Sequence, residues 1–399
     1  MMGESLVIVP FFSPWHAPFV QAALDGCGMN VRIVADADDE VVHLGLASVN
    51  NDACYSAIMA AGQARSALEE HSDHGGVSAG AVGKEARVGV TVSAPSTCVH
   101  CRADDLPYLV GRALGDSASE VLDIAEAIQR LPKYAQQRMA AALVGGDILL
   151  QTKLHVSAYA DEEGRRALDE MVERERDLAV AALSSGKSFD IEVFSRNVHQ
   201  GAVSAMTRSD SIPAIGVVGS PSLVFNPGMN GELVHCIQRE GCEAVLPYLS
   251  PSISYSLFQH GVSCPLAKAL DELCASLSDV PTRYSCETVG QLKDHARGFI
   301  PEDVVCGAGW MLAGQMLSLW GNGVRSILYA SVFGCMAGHV SGQGVLKGVR
   351  NACPSINLAS VEYDPGTSVV NQVNRIKLLA SIAKRPHLAD GERELQKTG

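Results

Sequence analysis

Continuous apolar runs alternate with helix-like stretches along this chain. Unbroken apolar runs, unlike alternating ones, predict strands covered on both faces, as in a parallel sheet. The first is Leu6–Pro10, and Val31–Val34 is the second. Between them residues 18–27 read as a helix, with Pro18 in the first turn, where its missing N–H costs nothing, and Gly28 at the end. The segment Asn50-Asn51-Asp52-Ala53-Cys54 leads into an Ala-rich helix to about residue 70, with Asp52 or a neighbour as its cap. Residues 71–84 are rich in Gly, Ser and His and predict a loop. Residues 87–92 predict a strand. Residues 104–114 and 118–144 predict helices, the second broken near Pro132, with Gly145-Gly146-Asp147 interrupting the pattern. A charged helix follows at 160–183 and another at 189–207. The strand–helix rhythm then restarts. Strands are expected at 214–218, 243–246, 325–330 and 356–361; helices at 230–240, 265–277, 310–320, 342–349 and Val369–Ala383. The fold class is therefore α/β, with two parallel-sheet lobes.

Length adds a division into domains, because 399 residues exceed one ordinary domain. The expected units are an N-terminal α/β lobe at 1–150, a helical connector at 151–210, a C-terminal α/β lobe at 211–385 and a loose charged tail at 386–399. A 47% hydrophobic and 19% charged composition suits a soluble protein with a large core. The net charge of -13, without a long basic run, argues against nucleic acid as a partner. Residues 6–12 are apolar but too short for a secretory leader and lack a basic flank. The longest uncharged stretch, 304–324, is long enough to span a membrane, but its glycines, Gln315 and Asn322 favour a buried helix. No membrane partner is expected, and the expected location is the cytoplasm. Twelve cysteines there stay reduced, so most should pack as small hydrophobes; Cys242 and Cys353 read that way.

Some cysteines suggest chemistry. Cys54, Cys98 with Cys101, and Cys335 fall in loops entering helices, and the last two loops follow strands. Loops of this kind gather at one edge of a parallel sheet, and a helix N-terminus favours a thiolate. Three such thiolates could hold an iron–sulfur cluster, leaving a fourth iron site to Cys98, water or substrate. The Cys98-x-x-Cys101 pair is also open to coincidence, to a thioredoxin-like redox pair, or to half a zinc site. His71-x-x-His74 is a metal pair only if a third ligand exists, and a solvated loop is the plainer reading.

The most specific segments are Phe333-Gly334-Cys335-Met336-Ala337-Gly338-His339, Val361-Glu362-Tyr363-Asp364-Pro365-Gly366 and Asn371-Gln372-Val373-Asn374-Arg375-Ile376-Lys377. Asn51-Asp52-x-Cys54, Gly62-Gln63, Cys101-Arg102, Gly146-Asp147 and Gly307-x-Gly309-Trp310 accompany them. With these the chain, over about residues 5–385, resembles the 2-hydroxyacyl-CoA dehydratase/benzoyl-CoA reductase component superfamily. It is most similar to the dehydratase-like part of the acyl-CoA dehydratase activase-related proteins. The resemblance implies two flavodoxin- or Rossmann-like lobes with a [4Fe–4S] cluster, or a double cubane, in the cleft. Carried over, the ligands are Cys54, Cys101 and Cys335. It also implies an ATP-hydrolysing activase as electron donor to an anaerobic oxidoreductase or lyase component, and pairing with a related subunit or a second copy. The chain itself shows no Gly-x-x-x-x-Gly-Lys-Ser/Thr loop.

The chain also departs from that pattern. Ser96-Thr97-Cys98-Val99-His100 stands where glycines are expected, and Ala160, Ser220, Ala308, Gln315 and Val369 stand where glutamates are expected. Set against the resemblance, these departures imply a cleft with changed charge or proton-handling groups. His100 and His339 are the candidate proton donors. Arg102 could balance cluster charge or form an ordinary salt bridge, and Asp364 could reach the cleft or cap a helix. Three functions are open: a low-potential iron–sulfur reductase or dehydratase-like component, a cluster-less scaffold or binding subunit, and a thiol oxidoreductase using Cys98 and Cys101.

Overall fold

The computed structural model of the chain describes residues 6–50, 52–74, 90–94, 105–115, 118, 120–208, 211–259, 264–277, 282–366 and 368–385. It is an α/β protein with two four-stranded, all-parallel sheets. The first contains β1 (Leu6–Pro10), β2 (Val31–Val34), β3 (Val90–Ala94) and β4 (Glu120–Asp123), in the order β2-β1-β3-β4. The second contains β5 (Ala214–Gly219), β6 (Glu243–Val245), β7 (Ser326–Val332) and β8 (Asn357–Tyr363), in the order β6-β5-β7-β8. Both lobes therefore have the flavodoxin-like strand order. The order reverses between β1 and β3 in one lobe and between β5 and β7 in the other. At such a switch point the loops diverge and leave a crevice at the C-terminal ends of the strands. Every residue of β7 is buried, which accounts for its unbroken apolar pattern.

Helices were less legible than strands. The helix Asp39–Ser48 escaped the apolar pattern, although its signal is local: Asp38 Oδ1 accepts from Val41 N at 2.9 Å, and Asp39 and Glu40 occupy the first turn. This helix crosses the helix Tyr55–His74 at Gly45 and Gly62, where an added Cβ would strike the backbone of the other helix. Tyr55–His74 runs past residue 70, so His71 and His74 are helical rather than in a loop. The expected helix over 118–144 is instead β4 followed by the helices Ile124–Arg130 and Lys133–Ala158. Asp123 separates strand from helix by accepting from Ala125 N at 2.7 Å.

Gly145-Gly146-Asp147 does not interrupt Lys133–Ala158. The two glycines serve close packing. A Cβ on Gly145 would meet the Phe189 ring at 3.3 Å, and one on Gly146 would strike the His16 ring. Asp147 is fully buried and crosses to the second lobe. It accepts from Leu249 N at 2.8 Å, Ser250 N at 2.9 Å and Ser250 Oγ at 2.6 Å, at the start of the helix Leu249–Gln259. His16 Nε2 lies 3.3 Å from Asp147 Oδ1, outside good hydrogen-bond alignment, and His16 is held at its other nitrogen by Ser13 Oγ at 2.7 Å.

One continuous core unites residues of both lobes, from Phe19 and Leu24 through Leu143 and Leu149 to Val217, Leu328 and Ala380. A second core covers the other face of the first sheet. The 11-residue helix Met311–Gly321 occupies the uncharged stretch 304–324 and is buried over most of its length. At 1.5 Å per residue it is about half the length needed to cross a bilayer. No helix among the described residues is long and apolar enough to do so.

Candidate functional site

Cys335 sits at the switch point of the second lobe. It follows β7 in a tight turn in which Gly334 adopts φ 72° and Cys335 N donates to Val332 O at 3.2 Å. Phe333 N donates to Tyr363 O at 2.8 Å, which continues the β7–β8 pairing up to the cysteine loop. The chain then enters a π-helical segment, Gly338–Gln343, and the α-helix expected at 342–349 follows it at Leu346–Ala352. Such segments often mark functional sites. Tyr329 explains it here. Its hydroxyl donates to Gly338 O at 2.8 Å, and Gly338 and Gly342 leave the room that the phenol fills.

That geometry brings Gly338 N to 3.2 Å from Cys335 Sγ, an N–H···S bond to the half-buried thiol. His339 Nδ1–H donates to Cys335 O at 2.9 Å, and Nε2 lies 3.5 Å from Glu362 Oε1 on β8. His339 thus stands one turn after Cys335, with both ring nitrogens engaged. Glu362 is itself placed by Gln372, whose side chain donates to the Glu362 carbonyl at 3.2 Å.

Cys54, also half-buried, is the residue before the helix Tyr55–His74, and its carbonyl accepts from Ala57 N and Ile58 N in the first turn. Two contacts connect this helix start to the second lobe. Ser56 Oγ is 2.6 Å from Ser222 Oγ, which is 2.9 Å from Ser220 Oγ at the end of β5. Tyr55 lies close enough to Asp364, at the end of β8, to feel its charge: burial first, then Asp364 and Asp39, push the phenol up to about 12. The starts of two cysteine-bearing loops are thereby brought to the facing C-terminal edges of the two lobes. A cavity of about 30 Å³ between them is lined by Ser56, Met59, Gln63, Ser222 and Asn226 among others. Gln63 holds the first lobe's loops in place by donating to Phe11 O and Asp36 O.

Cys98, His100, Cys101 and Arg102 lie outside the described residues, Cys98 four and Cys101 seven positions after the end of β3 in the sequence. In the sequence they follow the first lobe's third strand as Cys335 follows the second lobe's third strand. Other cysteines sit elsewhere. Cys242 and Cys353 are buried, with thiols pushed up by desolvation, as packing residues should be. Cys264, Cys274 and Cys286 belong to the common core. The departures from the expected acids are scattered. Ala160 and Gln315 are buried, Ser220 is half-buried, and Val369 is exposed. Gln315 Nε2 donates to Ser252 Oγ at 3.4 Å.

Sequence reasoning missed Tyr55, Ser56, Ser222, His16 and Glu362 as partners in this region. Ser56 and Ser222 are 166 positions apart, so only the folded chain brings them together. Compared with known proteins, the chain matches no family model and no curated protein.

Proposed function

We propose that the chain is an iron–sulfur protein: a low-potential reductase or dehydratase-like component fed with single electrons by an ATP-hydrolysing activase. Cys54, Cys101 and Cys335 would hold a [4Fe–4S] cluster, with Cys98, water or substrate at the remaining iron. The observation that carries the proposal is a pair of half-buried thiols: Cys335 at the switch point of the second lobe, and Cys54 directly before a helix whose first turn reaches that lobe at Ser222. The donor set fits the group. Thiolates are the ordinary ligands of such clusters, and hydrogen bonds to sulfur tune their potential. Gly338 N–H supplies one such bond to Cys335. A bound cluster supplies one-electron transfer at low potential.

The protein's own residues then shape the site. Gly338 and Tyr329 fix the Cys335 loop. His339, oriented by Cys335 O and Glu362, is a proton donor or acceptor beside it. The phenol of Tyr55, kept neutral by burial and two carboxylates, keeps a hydrogen-bond donor next to Cys54. Phe333, Met336 and Val340, close to Cys335 in the sequence, are respectively 49%, 62% and 70% exposed.

The test is iron and acid-labile sulfide on anaerobically purified protein, with an EPR spectrum after dithionite. About four of each per chain indicates one cubane and about eight indicates two. Lack of both, after reconstitution has been attempted, refutes the proposal.

A further inference from the structure

A second, larger cavity of about 140 Å³ lies between the lobes, where the β1–β2 face meets the helices Ala17–Asp25, Ile124–Arg130, Lys133–Ala158 and Leu249–Gln259. Its walls include Phe12, Val20, Ala127, Leu143 and Ile253. Neither Cys54 nor Cys335 lines it. Protein interiors are otherwise packed nearly as tightly as organic crystals, and walls facing a void forfeit their contacts. A space of this size with an apolar lining can take a molecule that restores those contacts.

The lining defines the ligand. Among the described residues, no charged side chain borders the cavity, so the ligand is neutral; an ion would lose its hydration without a partner. For scale, an apolar cavity of about 150 Å³ engineered into another protein takes one benzene. One ring therefore fills this space. The polar side chains on its wall are Ser252 and Ser256, one turn apart on the helix Leu249–Gln259. The Ser252 hydroxyl already accepts from Gln315. The Ser256 hydroxyl is half-buried and bonds to no group among the described residues. It can serve one hydrogen-bonding substituent on an otherwise apolar guest.

We propose that this cavity is a binding site for a neutral, single-ring aromatic molecule with one hydrogen-bonding substituent, of the phenol class. It stands independently of the iron–sulfur proposal and can be tested on cluster-free protein.

Calorimetric titration of the full chain with phenol, toluene and benzoate tests it. Saturable, one-to-one binding of phenol and toluene, each raising the melting temperature, with none for benzoate, is the expected result. Ala127→Phe, which fills the cavity, should abolish binding of both while the protein stays folded by circular dichroism; Ala127→Leu serves if the larger ring prevents folding. Ser256→Ala should weaken phenol roughly three- to ten-fold, the worth of one neutral hydrogen bond, and leave toluene unchanged. Failure of folded protein to bind phenol saturably, or undiminished binding by the folded cavity-filled variant, overturns the proposal. Equal phenol affinity with and without the Ser256 hydroxyl would overturn its assignment as the polar contact.

Discussion

Replacing Asp147 with Ala should be among the most damaging single changes in the described part of this chain. The carboxylate is buried and accepts from two backbone N–H groups and one hydroxyl at 2.6–2.9 Å, with the His16 ring at 3.3 Å. Its removal leaves three buried donors unmet and uncaps the helix Leu249–Gln259. An N-cap alone is worth about 1 kcal/mol, and each unmet buried donor about 1–3 kcal/mol, but the terms overlap because one carboxylate serves all of them. Because of that overlap, we take about 2–4 kcal/mol as the expected total. Asp147→Asn retains an acceptor while presenting its amide N–H₂ to at least one of these donors, and should lose about half as much. Urea unfolding followed by circular dichroism measures both. The midpoint should fall while the slope with denaturant stays constant, as expected for a change in stability alone. A loss below about 1 kcal/mol in the Ala variant would refute the assignment of this carboxylate as a principal tie between the lobes.

Other outcomes follow from the cysteine region. Cys54→Ser and Cys335→Ser should each lower iron and sulfide content after anaerobic reconstitution, whereas Cys353→Ser, at a packing cysteine, should not; iron analysis decides. Gly338→Ala places a Cβ 2.8 Å from the Tyr329 hydroxyl oxygen and 3.1 Å from Cys335 Sγ, so it should cost about 1–3 kcal/mol in urea unfolding and reduce iron loading as well. Glu362→Gln removes a half-exposed partner of His339 and should change stability by less than about 1 kcal/mol in the same assay. The raised Tyr55 phenol favours its neutral form in the folded state. Its contribution is therefore complete below the ordinary tyrosine value near 10 and lost as pH rises toward about 12. Two units correspond to roughly 2–3 kcal/mol. Stability measured at pH 9 and pH 11.5 should converge more closely in Tyr55→Phe than in the parent chain; an identical pH dependence would contradict the placement of Tyr55.

The strands were legible because parallel, two-side-buried strands write continuous apolar runs, and β1 and β2 appear with the expected limits. β4 was hidden because Glu120 is exposed and Asp123 doubles as a helix cap, so the segment carries too few apolar residues to announce a strand. Gly145 and Gly146 misled for a different reason: glycine reads as a break, yet here it makes room for Phe189 and His16 inside a continuous helix. The cysteine-bearing loops could be located from the strand–helix order. What faced them could not, because Ser222, Asp364 and Asp147 gain their partners only through contacts between segments far apart in sequence.

The common core has a mechanical consequence. The helix Lys133–Ala158 packs against Ala17–Asp25 in the first lobe and against β6 and Pro265–Ser276 in the second, with Asp147 fastened between. The two sheets therefore do not open and close like a hinged pair of jaws. Relative movement is left to the loops above the strands, while the frame that sets the span between the two sheets is held by the common core. A frame of constant span would suit the one-electron transfer proposed above, whose rate declines sharply when donor and acceptor drift apart.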